Sequence, residues 1–115
     1  MCREIETRTG YLPEKTIDTL YFGGGTPSIL EDKDLNTILS HIDKNYAISQ
    51  NAEITLEANP DDITKEKLAA WKTAGINRLS IGIQSFFEDD LKWMNRAHTS
   101  VQAENALRWA KDAGF

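Results

Sequence analysis

Three consecutive glycines, Gly23-Gly24-Gly25, end the apolar run Thr19-Leu20-Tyr21-Phe22, and Thr26-Pro27-Ser28 follows directly. Residues without a Cβ let backbone N–H and C=O groups come close to a bound molecule, and they take positive φ without steric cost. Gly23 to Thr26 therefore reads as a backbone-lined ligand loop, against the plainer alternative of a tight turn that holds nothing. Glu57 and Asn59 stand at the end of a second apolar stretch, and Gln84 and Ser85 at the end of a third. A carboxylate, amides and a row of backbone groups suit a small polar ligand carrying an ammonium and a hydroxylated ring. They suit a phosphate less well, because no Lys or Arg stands beside the glycines. The missing Lys also excludes a P-loop, and the spacing is not GxGxxG.

Each of these residues also has a plainer role. Glu57 could be a solvated strand end, Gln84 could bond loop backbone, and Arg96 could be a surface charge. A shared rim favours the binding role for all three. His41 and His98 lack partners at metal-ligand spacing and read as structural or exposed. Trp71, Trp93 and Trp109 stand at helical positions and read as packing residues.

The elements that would position this set alternate along the chain as βαβαβα after a short opening helix. The first strand is expected at about Thr19 to Phe22, with Ser28 and Glu31 forming a capping box for a helix whose inner face is Leu35, Ile38, Leu39 and Ile42. A second strand, about Glu53 to Glu57, precedes a helix that turns Leu68 and Trp71 inward and stops at Gly75, a left-handed cap. The third strand, about Arg78 to Ile83, leads through Gln84-Ser85-Phe86 to a short helix near Asp89 to Met94. A last helix starts near Val101, capped by Thr99 or Ser100. Its inner face is Ala103, Ala106, Leu107 and Ala110, and it ends at Gly114.

This order predicts an α/β fold: three βα units on a parallel sheet, with the ligand site at the carboxyl ends of the strands. A complete eight-unit barrel takes about 250 residues, so residues 1–115 read as a single domain that is part of a larger barrel. Phe115 falls where a fourth strand would begin, and self-association through uncovered strand edges is expected.

The bulk properties narrow the function classes. With 40% apolar and 27% charged residues in 115, the chain is an ordinary globular domain. A net charge of −5 and no basic stripe disfavour a nucleic-acid partner. No apolar run reaches the roughly 18 residues of a membrane span, and Met1 to Glu6 lacks the apolar region of a signal peptide. The cytoplasm is the expected compartment. Cys2 is the only cysteine, so neither an internal disulfide nor a cysteine-held cluster can be built from this chain alone.

Four ordered motifs, Tyr21-Phe22-Gly23-Gly24-Gly25-Thr26-Pro27-Ser28, Leu56-Glu57-Ala58-Asn59-Pro60, Gly75 through Phe86, and Arg96-Ala97-His98, resemble one family over essentially the whole chain. It is identified as a member of the oxygen-independent coproporphyrinogen III oxidase-like radical S-adenosylmethionine (SAM) proteins. The resemblance implies a partial TIM-like (βα) barrel in which a [4Fe–4S] cluster splits SAM into methionine and a 5′-deoxyadenosyl radical. It implies that Gly24, Gly25 and Thr26 lie against SAM and that Glu57 makes a second polar contact. Gln84 and Arg96 match positions that contact a second SAM in the oxidase branch. Asn59-Pro60 and Asn77-Arg78-Leu79-Ser80 look more like the haem-chaperone branch, which leaves porphyrinogen decarboxylation and haem handling both open for the parent protein. The CxxxCxxC cluster motif is absent, so this chain alone is expected to be catalytically silent. A noncatalytic α/β small-molecule-binding or interaction module is the alternative from another class.

Overall fold

The computed structural model describes residues 1–14 and 16–115. Eight regular elements follow in order: α1 (Cys2–Thr7), β1 (Thr16–Phe22), α2 (Asp32–Asn45), β2 (Ala47–Ala58), α3 (Lys65–Thr73), β3 (Arg78–Ile81), α4 (Glu88–Trp93) and α5 (Ser100–Asp112). Short 3-10 turns at Pro27–Ile29 and Pro60–Asp62 follow β1 and β2. In each, proline starts the turn with φ already fixed and no N–H to satisfy.

The strands form one sheet in the order β1-β2-β3, parallel throughout. Residues opposite one another in a parallel ladder share a face, so the register sorts the sheet into two sides. Leu20, Phe22, Ile54, Leu56, Ala58, Leu79 and Ile81 lie on one side, and Thr19, Tyr21, Glu53, Thr55, Glu57, Arg78 and Ser80 on the other. The first side meets the helices: Leu35, Leu39 and Ile42 of α2, Leu68 and Trp71 of α3, and Ala106 and Ala110 of α5 join its core. The second carries polar groups, with an Arg78–Glu53 ion pair of 3.3 Å across it. Parallel sheets usually bury both faces under apolar side chains, whereas here one face is polar and largely exposed.

The radius of gyration is 15.8 Å, against roughly 13 Å for a compact domain of this length, and the extents are 49 × 27 × 23 Å. The sheet is an open arc. Among the described residues neither β1 nor β3 has a second neighbour, and no helix is long and apolar enough to cross a membrane.

Several local expectations change. β1 and β2 start earlier than the apolar runs suggest, at Thr16 and Ala47, because their register slips between Ile17↔Ile48 and Thr19↔Glu53 and bulges residues without alternating pattern. The capping box at Ser28 and Glu31 does not form. Glu31 occupies the N-cap of α2 with no side-chain cap bond, and Ser28 is used elsewhere. At α5 the cap is Thr99, paired reciprocally with Gln102. Gly75 and Gly114 do end their helices in left-handed conformation, φ +97° and +80°. Trp71 is buried as expected, whereas Trp93 stands 87% exposed and Leu107 is also exposed. α4 spans under two turns, and Leu91 takes its one core-facing position.

Candidate functional site at the strand ends

The loops after β1 and β2 are tied together before any ligand is considered. Fully buried Ser28 donates its hydroxyl to Asp62 Oδ2 (2.6 Å) and accepts from the Asn59 N–H (3.3 Å). Lys67 donates to the Ser28 carbonyl at 2.7 Å. Removing the hydroxyl strands a half-buried N–H and a carboxylate, so Ser28→Ala should lower stability by about 1–3 kcal/mol. Urea titration reads this as a reduced midpoint, and an unchanged midpoint would show that the hydroxyl is not what joins the loops.

The glycine loop is held by Glu57. Its Oε1 accepts from the Tyr21 hydroxyl at 2.6 Å and its Oε2 from the Gly24 N–H at 3.1 Å. Gly24 and Gly25 both take positive φ, +85° and +69°, a region costing an ordinary residue roughly 1–2 kcal/mol. Gly23 is needed for a different reason. A Cβ there would lie 2.5 Å from Tyr21 Cε1 and 3.2 Å from Glu57 Cδ.

The Tyr21 bond, and after it the Gly24 N–H, hold the Glu57 carboxyl below its ordinary value of 4.5. The same bond raises Tyr21 above 10.0. Because the folded value of Glu57 is depressed, its contribution is present above the unfolded value and is lost as pH falls through the folded one.

After β3 the ladder continues one residue, with the Gly82 N–H donating to the Ala58 carbonyl. The chain then turns sharply: the Ser85 N–H bonds the Ile83 carbonyl around Gln84, whose φ is +64°. Positive φ at a non-glycine residue is a local strain that surrounding structure must hold. Buried His98 does part of this by donating Nε2–H to the Ile83 carbonyl at 2.9 Å. Asn95, at φ +52°, closes α4 in left-handed conformation and redirects the chain at Arg96. Arg96 donates one guanidinium nitrogen to the Gly82 carbonyl (3.2 Å) and to Asn59 Oδ1 (3.4 Å), while its buried Nε–H has no partner.

These groups enclose a cavity of about 370 Å³ lined by Gly25, Thr26, Glu57, Asn59, Gln84 and Arg96, with Ser80 and Gly82 among the other walls. That volume falls within the roughly 300–1,000 Å³ of small-molecule sites. Five of the six residues singled out from the sequence therefore meet there. The sixth, Gly24, lies outside the lining; its N–H is taken by Glu57, and a Cβ there would meet open space. Ser85 turns away to bond Asp90 and the Phe87 N–H. Asn59, Ser80 and Gly82 belong to the site as well. Gly82 was legible only as a strand residue, yet a Cβ on it would sit 3.4 Å from Arg96 and 3.5 Å from Asn59.

A parallel α/β sheet with a polar cavity at its strand ends defines the class, and the comparisons supply the family. The sequence model of the Radical SAM superfamily matches residues 2–115, and the chain belongs to that superfamily. It is similar to the heme chaperone HemW of Escherichia coli (strain K12), 33% identical over all 115 residues and over 30% of that protein's length. It is also similar to the Danio rerio mitochondrial radical S-adenosyl methionine domain-containing protein 1, 39% identical over 96% of this chain and 24% of that one. Among solved structures, the Escherichia coli coproporphyrinogen III oxidase HemN, a radical SAM enzyme, superposes with a TM-score of 0.88 at 28% identity over 99% of this chain and 26% of that one. The chain thus spans about 30% of the length of the chaperone it matches and carries part of the radical SAM barrel.

Cys2 is the only cysteine, and among the described residues no three His, Cys, Asp or Glu side chains gather as a metal site. The residues of this chain do not fit a [4Fe–4S] cluster, which needs more thiolates than one.

Proposed function

We propose that this chain forms the SAM-binding rim of a radical SAM protein acting on haem or a porphyrin, and that residues 1–115 are a single domain contributing three βα units to its barrel. The carrying observation is a cavity in which a carboxylate, Glu57, and a guanidinium with an unpaired N–H, Arg96, share one lining with the Gly25-Thr26 backbone. A cavity with both charges complements a zwitterion. Glu57 attracts the ammonium of a methionine moiety, Arg96 its carboxylate, and Asn59, Gln84 and Ser80 offer partners to ribose hydroxyls or ring nitrogens. When bound, SAM supplies the adenosyl group on which the family's radical chemistry depends.

The haem-handling branch is favoured over porphyrinogen decarboxylation by the Asn59-Pro60 motif and by the identities of 33–38% to heme chaperones. Titration calorimetry on the chain should show SAM binding at one site, and inorganic phosphate at millimolar concentration should not displace it. Phosphate competing at the same site would favour an anion-binding loop, and no heat with SAM would remove the reading.

A further inference from the structure

We propose that Tyr21 is a positioning residue for this site, its hydroxyl clamping Glu57 so that the carboxylate in turn fixes the Gly24-Gly25 backbone in its left-handed conformation. The role rests on the SAM-binding reading above and goes beyond it, since Tyr21 lines no part of the ligand cavity. Three observations support it. Tyr21 pairs with Thr55 in the parallel register, which puts its ring on the same sheet face as Glu57, two residues further on. The 2.6 Å phenol bond occupies Oε1 and leaves Oε2 aimed at the Gly24 N–H, so one carboxylate bridges strand and loop. Gly23 leaves room for the ring, since a Cβ there would press on Tyr21 at 2.5 Å.

Without the phenol, Glu57 keeps one protein partner and regains rotamers that turn it away from Gly24. The loop then loses its only side-chain hydrogen bond among the described residues. The charged groups that face the clamp are Arg78 and Glu53 across the polar sheet face and Arg96 in the cavity lining. Arg78 and Glu53 pair with each other, which leaves Tyr21 as the group whose removal shifts Glu57 most.

The test is Tyr21→Phe in the full chain, which keeps the ring and deletes only the hydroxyl. Carbon-13 titration should move the Glu57 carboxyl midpoint up toward its ordinary value, and Gly24 amide exchange should quicken. SAM affinity at neutral pH should fall about threefold to tenfold, with the acid limb of its pH profile displaced upward. An unaltered Glu57 midpoint and Gly24 exchange rate would overturn the clamp. If the unsubstituted chain fails to bind SAM, the functional reading fails, while the midpoint and the exchange rate still decide the role of Tyr21. Weaker binding with an unmoved acid limb would also contradict it.

Discussion

Truncating Trp71 to alanine should abolish cooperative folding or come close to it. Trp71 is only 2% exposed, lies in α3 and joins the core formed by Leu56, Leu68 and Ile76 behind the strands. Removing a buried Trp costs about 3–5 kcal/mol, against a total of about 5–15 kcal/mol for ordinary domains. An open three-stranded arc buries less than a closed barrel, so its margin lies toward the lower end. α3 also connects the second site loop to β3, so the rim should loosen with the core. Thermal unfolding followed by circular dichroism should give a broad or absent transition for Trp71→Ala. A sharp transition within a few degrees of the parent would show that the core tolerates the cavity.

Glu57→Ala should weaken SAM binding by tenfold to a hundredfold while leaving the fold intact. The side chain sits at a strand end on the polar face, half-buried and outside the apolar core, so its loss creates no core cavity. What disappears is a charge-assisted partner of the ligand, together with the bond that orders the glycine loop. Calorimetry measures the first effect, and circular dichroism checks the second condition. Unchanged affinity would return Glu57 to a structural role within the loop.

Much of this site was legible because its residues sit where strand-ending polar groups interrupt apolar runs. Gly25, Thr26, Glu57 and Gln84 needed only the strand positions and the parallel order to be placed on one rim. Arg96 is different. Its side chain reaches the rim because Asn95 adopts left-handed conformation and His98 pins the preceding turn, and neither follows from local pattern. Ser28 shows the limit of short-range rules: its spacing to Glu31 satisfies a capping box, but a charged partner 34 residues away, Asp62, competes for the same hydroxyl. Asn77 was readable only as a loop residue, yet its side chain continues the sheet by accepting from the Ile54 N–H and donating to the Ala52 carbonyl, both at 2.8 Å. The misread Trp93 and Leu107 follow from a common cause. Helical spacing assigns a face only when the helix has a partner on that side, and both residues stand exposed with no such cover.

Mapping SAM onto the chain by amide and side-chain NMR shifts tests the central claim most directly. The account predicts saturable shifts at Gly25, Thr26, Asn59, Gly82 and Gln84 and at the Arg96 Nε–H, the groups that line or border one cavity. Shifts gathered instead in the apolar cleft lined by Met1, Ile5, Leu20 and Ile38, or none at saturating ligand, would contradict it.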